Sequence, residues 1–401
     1  MSLAQRNTPH DDLDIVDWGL TSFDPWDPRI TNFNIWNIYQ AMRAAGPVVR
    51  SDAHGGFWCL TRYQQIREAA SDFRTFISGE GVIIGRKKKL PSVPLEFDRP
   101  EHTRYRKPMQ APFLRHRVEG FADMVRRHVT LLLDDIEQQR EFDIVRDLAA
   151  PLPLQVISDF LGISEERHRE HQRLADALVH ADRDSAEAAD AAYYDFMREE
   201  ARARKANPGD DFISELWSLD GEDERFEELE IVRMARAIAL AGHHSTINGT
   251  ASMLWRMADD EPRRLYLDDR DLTPKVVDEA LRIDPPIHYE GRTTTRPVTI
   301  GGSEIPEGAH VALLYASGNH DADVFPEPDR FDPLREGPLH LSFGHGIHKC
   351  LGEHLSRLEM GIVLEEMLDR FPDYRITGEP VGGGMVYGHH MAWDSIPASI
   401  R

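Results

Sequence analysis

The chain has 401 residues, 41% hydrophobic and 29% charged, which describes a globular protein able to bury a large core. Its 47 Lys+Arg against 69 Asp+Glu give a formal charge of −22, which argues against nonspecific binding to nucleic acid or an anionic membrane. The two cysteines, Cys59 and Cys350, make no disulfide framework and suit a reducing, cytoplasmic setting.

The acidic start, MSLAQRNTPHDDLDIVDW, lacks the basic-then-apolar pattern of a signal peptide. No uncharged apolar run of about 18 residues marks a transmembrane helix. The aromatic segment Gly56–Tyr63 reads as a strand. Gly79–Pro100 is rich in Gly, Pro and Lys, including Lys87-Lys88-Lys89, and reads as a long functional loop. From Glu101 to about Ala203 the pattern is mostly helical, with turns following at Asn207–Asp211 and Asp220–Asp223. A long helix is predicted over Glu227–Ala258, opened by acidic residues. Its centre, Ala237–Gly242, is apolar on nearly all sides and should be buried. Thr273-Pro274 is a cap followed by a first-turn proline, and that helix must stop before Pro285-Pro286. Arg292–Val311 alternates and turns at Gly301-Gly302 like short hairpin strands. The last clear helix should start near Cys350, with Leu351, Leu355, Leu358 and Ile362 on one face. Loops and short strands end the chain. The fold expected is mainly α with a minor β part around one large core.

The segment Phe343–Gly352, with Cys350 near its end, carries the clearest chemistry. A thiolate metal ligand needs its charge stabilised, which the unpaired N–H groups and dipole of a helix start provide. Gly344, Gly346 and Gly352 let backbone approach closely a flat cofactor and the sulfur. Two other readings stand beside this one. One is a buried structural cysteine at a glycine-rich turn. The other is a zinc site made from His345, His348, Cys350 and His354.

The turn resembles the cysteine-ligand signature of the cytochrome P450 family, Phe-x-x-Gly-x-(His/Arg)-x-Cys-x-Gly, at Phe343, Gly346, His348, Cys350 and Gly352. The resemblance runs from residue 56 to 401, after a lead-in over 1–55, and implies a single domain over 1–401. It implies the cytochrome P450 fold, a helical haem-binding prism with small β-sheets. It also implies haem b (iron protoporphyrin IX), with Cys350 as axial ligand to the iron. Phe343 is then expected beside the sulfur and His348 near a haem propionate. Glu279-Ala280-Leu281-Arg282 resembles the family's Glu-x-x-Arg, which with Arg330 forms a buried structural network. In isolation Glu279 and Arg282 would read as an ordinary surface ion pair. His102 and Arg106, four apart on a helix, resemble the family's propionate-binding segment, and Arg292 another propionate-binding arginine. Each alone would read as a solvated basic residue.

Ala241–Thr246 falls where the family reads Ala/Gly-Gly-x-Asp/Glu-Thr-Thr/Ser, with Asn248 also in register. Ala241 and Gly242 would leave room for O2. His244 replaces the acid and Ser245 the threonine, so Ser245 is expected to orient oxygen and His244 to feed a proton relay. A shifted alignment gives the hydroxyl to Thr246. The bland reading makes His243 and His244 polar residues of a distorted helix. The altered relay keeps a peroxygenase or another haem-thiolate reaction open beside oxygen insertion. By resemblance the substrate pocket includes Ile238, Ile287, His288, Tyr289, Val386 and Tyr387, with the polar groups either facing a small organic substrate or packed into the wall. No flavin or iron–sulfur segment is fused, so electrons should come from a separate ferredoxin and ferredoxin reductase. Arg104, Lys107, Arg115 and Lys349 are the docking residues expected.

Overall fold

The computed structural model describes residues 13–86, 90–179, 186–219 and 225–400. The acidic start before residue 13, Lys87–Lys89 and the Asp220–Asp223 turn lie outside the described residues. Helices dominate, and among the described residues none is long and apolar enough to cross a membrane.

The organising element is the helix Glu228–Met257. Glu227 caps it: its backbone N–H donates to the Glu230 carboxylate at 2.9 Å, and its own side chain accepts from the first turn. Helices Pro151–Leu161, Ala186–Ala206, Thr273–Ile283 and Glu353–Arg370 pack around it. Burial is not uniform along its apolar centre. Ile238 and Ala239 are buried, Ala237 and Leu240 half-buried, and Ala241 exposed. Among the described residues Ala241 is left open, so the expected all-round burial stops there.

A five-stranded sheet sits beside the helices in the order Val48–Ser51, Phe57–Leu60, His310–Leu313, Glu290–Thr294, Phe76–Ile77. Phe57–Leu60 pairs parallel with His310–Leu313, and the other neighbours pair antiparallel. A second core of Phe23, Tyr39, Met42, Cys59 and Tyr289 packs against this sheet. Gly301-Gly302 closes the expected hairpin between Val298–Ile300 and Ser303–Ile305, with φ of +54° and +84°. Near the end, Val381–Val386 and His390–Ser395 form another hairpin. Asn248 ties it to the central helix, accepting from the Trp393 N–H at 2.9 Å while its own amide donates to the His244 carbonyl at 2.8 Å.

Two boundaries differ from expectation. A 3-10 turn, Arg270–Leu272, runs straight into the helix Thr273–Ile283, so Thr273 is already helical and does not cap. The last helix begins at Glu353 with Gly352 as its cap, leaving Cys350 in the preceding turn.

The Glu279 network also differs in one member. Arg282 meets Glu279 with two hydrogen bonds, of 2.7 and 2.9 Å, and both side chains are buried. The third partner is Arg335, whose Nε donates to Glu279 at 3.1 Å. Arg330 is instead 55% exposed beside Glu261 and Glu327, and contributes only its carbonyl. The turn folds around the Arg335 guanidinium, which donates to the carbonyls of Pro326, Glu327 and Arg330. A planar five-donor group suits inward carbonyls beside a carboxylate.

Candidate active site

The cysteine turn is closed by its own backbone. The Cys350 N–H donates to the Phe343 carbonyl at 2.8 Å, and the Gly344 N–H to Leu341 at 2.7 Å. Gly344 and Gly346 have φ of +66° and +75°, a region that favours glycine. At Gly346 a Cβ would lie 2.1 Å from the Ala70 carbonyl oxygen. Its glycine is therefore demanded by the helix Tyr63–Ser71, rather than by a cofactor as expected. Gly352 differs: nothing lies within 4 Å of an added Cβ. Phe343 is half-buried under the Arg357 guanidinium, 4.4 Å from its ring centre.

Cys350 is surrounded by protein yet has exposed surface. A deep residue with free surface has one side left for something else to cover. Burial pushes its thiol up, while the Gly352 N–H, Arg106 and Arg357 pull it down and Glu353 opposes them. The zinc alternative fails on geometry, since among the described residues no three His, Cys, Asp or Glu converge on a metal-sized point.

Beside the turn, four expected residues meet. His102 and Arg106 come from the helix Glu101–Gln110, Arg292 from the strand Glu290–Thr294, and His348 from the turn. The His102 and His348 rings are 4.5 Å apart. All four of their ring nitrogens are buried without a well-formed hydrogen bond, although the Ile347 backbone approaches His102. Burial first, then Arg106 and Arg99, lowers His102 to about 4. Burial, Arg292, His102 and Arg106 lower His348 to about 2. Arg106 donates to the Lys349 carbonyl, and Arg292, 2% exposed, donates to Gly291 at 2.6 Å. Two guanidinium groups and two imidazoles thus crowd together with more donors than acceptors. Buried polar groups require partners, and a ligand with two carboxylates supplies the missing kind. The haem dianion fits these residues.

On the central helix, Ser245 donates its hydroxyl to the Ala241 carbonyl at 2.9 Å. Ser245 and Ala241 share the open stripe, being one turn apart. Thr246 is turned about 100° away and is 3% exposed, so its hydroxyl sits in the helix wall rather than on the candidate catalytic face. Gly242 also points elsewhere: an added Cβ would meet Ile157 of Pro151–Leu161 at 3.6 Å. Only Ala241 of the expected small pair leaves room on the open side. His243 is 2% exposed, whereas His244 is half-buried, with its ring 5.7 Å from that of Tyr387.

The expected pocket residues separate into two groups. Ile238, Ile287, Val386 and Tyr387 lie along the central helix and the final hairpin, whose His390 bridges to Ile287. His288 and Tyr289 point into the wall. The His288 Nδ1 meets the Tyr39 hydroxyl at 3.1 Å, and the Tyr289 hydroxyl accepts from the Ile84 N–H at 3.2 Å. Their partners Tyr39 and Ile84, like Tyr289 itself, belong to the second core.

A profile described as cytochrome P450 matches residues 259–372. Cytochrome P450 107B1 of Saccharopolyspora erythraea is 32% identical over 362 residues, covering 86% of this chain and 89% of that protein. The steroid C26-monooxygenase of Mycobacterium tuberculosis is 34% identical over 354 residues, covering 85% and 87%. The chain belongs to the cytochrome P450 family. The crystal structure of CYP108D1 from Novosphingobium aromaticivorans superposes with a TM-score of 0.85 at 26% identity, covering 96% of this chain and 98% of that one. The mainly helical fold with small sheets is thus the cytochrome P450 fold, and the family implies a haem cofactor.

As a cytochrome P450, the chain carries a different electrostatic surface from the one expected. Arg104 pairs with Glu230, Arg115 with Glu119 at 3.0 Å, and Lys349 with Glu353. Lys107 also has a partner. The charges of Arg104, Arg115 and Lys349 are locally compensated, which a list of basic positions does not reveal. Arg335 and Arg357 are the site-related residues that sequence reasoning missed. For Arg335 the offset of five positions from Arg330 carries no spacing signal; the turn is what brings it back.

Proposed function

We propose that this protein is a haem-thiolate monooxygenase that inserts one oxygen atom from O2 into a small organic substrate, by hydroxylation or O-dealkylation. Electrons come from NAD(P)H through a separate ferredoxin and ferredoxin reductase, in the cytoplasm, and the whole chain acts as one catalytic domain. The observation that carries this reading is Cys350, enclosed yet open on one side, next to the four unpartnered ring nitrogens of His102 and His348 and the guanidinium groups of Arg106 and Arg292.

Haem b, when bound through a thiolate, supplies the electron density that favours O–O cleavage. Cys350 would be the iron ligand, and the Gly352 N–H with Arg106 and Arg357 would stabilise its thiolate against burial. His102, Arg106, Arg292 and His348 hold the propionates, with neutral imidazoles donating one N–H each. Ala241, exposed on the central helix, would leave room for O2. Ser245 orients oxygen or a water through its hydroxyl, and His244, next to Tyr387, passes protons toward it. Ile238, Ile287, Val386 and Tyr387 line the substrate side. Glu279, Arg282 and Arg335 hold the turn that backs the cysteine loop. The electron donor meets the cysteine side, where Arg67 lines a surface hollow with His345, and Arg74 and Arg99 lie over Phe73. Among the described residues these three arginines have no carboxylate partner.

The test is the absorption spectrum after reduction with dithionite and exposure to CO. A strongly red-shifted Soret band, lost in Cys350→Ser, is expected. A haem band without that shift would overturn the thiolate assignment. A peroxide-driven reaction is the second reading, favoured by His244 and Ser245 standing where the family has an acid and a threonine. Turnover with peroxide exceeding turnover with NADH and redox partners would select it.

A further inference from the structure

Opposite the open stripe of the central helix, a set of polar groups has no assigned task. Arg86 closes the first described part of the long loop. Its base is fixed from both sides: the Trp26 indole donates to the Ile84 carbonyl at 2.7 Å, and the Gly291 N–H donates to the Val82 carbonyl at 2.6 Å. Gly291 is pressed so close that a Cβ would lie 3.0 Å from the Val82 oxygen. The guanidinium of Arg86 itself makes no hydrogen bond or ion pair among the described residues, and Arg86 is exposed. Burial and the charge of Arg236 nevertheless lower its pKa, so protein crowds it.

Its charged and titratable surroundings come from four elements. Arg236, on the central helix, pairs with Asp190 of Ala186–Ala206, and its Nε is buried without a partner. Asp176 of His168–Val179 faces Tyr387 and has a partner of its own. The tip of the final hairpin brings Tyr387, His389 and His390. The Tyr387 hydroxyl and the Nδ1 atoms of His389 and His390 are all buried without a well-formed hydrogen bond, although the Tyr387 backbone approaches His389, which is 8% exposed. These ring groups line up, with Tyr387 5.7 Å from His244 and 6.1 Å from His390. Burial keeps them uncharged: it raises Tyr387, lowers His389 to about 3 and lowers His390 well below the ordinary imidazole value. One free guanidinium, a spare guanidinium N–H, a phenol donor and neutral imidazoles make an anion-binding set. Asp190 is engaged by Arg236, and Asp176, beside Tyr387, has a partner of its own, which leaves the Arg86 guanidinium as the cation of the set open to a ligand.

We propose that the molecule oxidised carries a carboxylate, held by Arg86 with Tyr387 and the hairpin histidines, while its oxidisable part extends toward Ala241 and Ser245. This deepens the oxygenase reading and rests on it. A guanidinium binds a carboxylate through two parallel hydrogen bonds, and loses that interaction with the isosteric amide. The charge thereby fixes which end of the substrate enters.

Matched pairs separate charge from shape: octanoate against octanamide, and hydrocinnamate against hydrocinnamamide, titrated calorimetrically into the haem-loaded protein. In at least one pair the acid should bind about tenfold or more tightly than the amide. Arg86→Ala should abolish that preference, Arg86→Lys should retain part of it, and Tyr387→Phe should weaken it. Melting temperatures close to that of the unmodified protein show that the variants are folded, as expected for an exposed loop position. Equal binding of acid and amide in both pairs, absence of binding included, overturns the proposal. So does an acid preference that survives Arg86→Ala. The CO spectrum of the same samples keeps the two readings apart. A thiolate band with no acid preference removes the carboxylate subsite alone. An acid preference without that band removes the haem-thiolate reading and leaves the subsite standing.

Discussion

The two sides of the site are built differently. The Cys350 side is concentrated in one short turn, joined by a helix and a strand that deliver His102, Arg106 and Arg292. The His244 side is scattered: the central helix, the long loop and the final hairpin each contribute between one and three polar groups. The first side answers to a ligand of fixed shape and charge, so its donor set is fixed too. The second answers to whatever small molecule is oxidised, and its donors meet only through tertiary packing. Changes on the first side should therefore cost stability or haem, and changes on the second should alter selectivity and coupling.

The sharpest test lies behind the cysteine turn. Glu279→Gln leaves Arg282 and Arg335 buried without their counter-charge and should cost about 3–5 kcal/mol in urea unfolding. Arg330→Ala keeps the carbonyl that does the bonding and removes an exposed side chain, so it should stay within about 0.5 kcal/mol. A large loss in Arg330→Ala with none in Arg335→Ala would reverse the assignment of the third member.

Next in size is haem retention. Arg292→Ala removes a buried guanidinium from the propionate cluster and should speed haem transfer to excess apomyoglobin by roughly tenfold to a hundredfold. Arg86→Ala, on the other side, should leave that rate unchanged. Equal acceleration in both would erase the distinction between the two sides.

Much of the Cys350 side was legible in the sequence because its constraint is local. A cysteine, a cap and glycines must be near one another in the chain to make one turn, and helical spacing puts His102 and Arg106 on one face. Even there Gly346 answered to Ala70 on another helix, which no local pattern encodes. The central helix was legible to within a residue or so because its capping acids and apolar length both mark it. What escaped were orientations set by the fold. Thr246 and Ser245 are adjacent in sequence but differ by a third of a turn. His288 and Tyr289 looked like pocket residues until the second core claimed them. Arg335 was hidden because an arginine's partner depends on where a turn returns the chain.

A cluster of buried histidines on the His244 side gives a pH test. His171 accepts or donates at 2.7 Å to Ser158 and 2.8 Å to Tyr193, and burial followed by His168 lowers it to about 3. Burial, His244 and His171 lower His243 to about 3. An unfolded histidine titrates near pH 6.5. Below that pH the unfolded chain takes up protons that the folded one refuses until about 3. The contribution of these rings is therefore full above about pH 6.5 and is lost as pH falls toward their folded values, at up to about 1.4 kcal/mol per pH unit for each ring. His171→Gln should flatten the stability slope measured between about pH 6 and pH 4.5 by one proton. An unchanged slope would mean that His171 is charged in the folded protein.

The smallest effect expected is also the one that separates neighbours on the central helix. Ser245 shares the open stripe with Ala241, whereas Thr246 is packed into the wall. If the hydroxyl on the open stripe orients oxygen, Ser245→Ala should reduce product formed per NADH consumed by up to about tenfold, since a positioned proton-transfer group contributes at least that much. Binding of substrate should hold, because the stripe loses one oxygen atom and no bulk. Thr246→Val keeps the buried shape and should leave coupling near its original value, with any loss appearing as stability instead. His244→Gln retains hydrogen bonding but not proton transfer near neutral pH, so it should uncouple like Ser245→Ala and add little to it in the double variant, as two members of one relay would. Uncoupling in Thr246→Val with none in Ser245→Ala would move the relay off the open stripe. Full additivity of the His244 and Ser245 changes would show that the two act separately, leaving the histidine with a different task in the pocket.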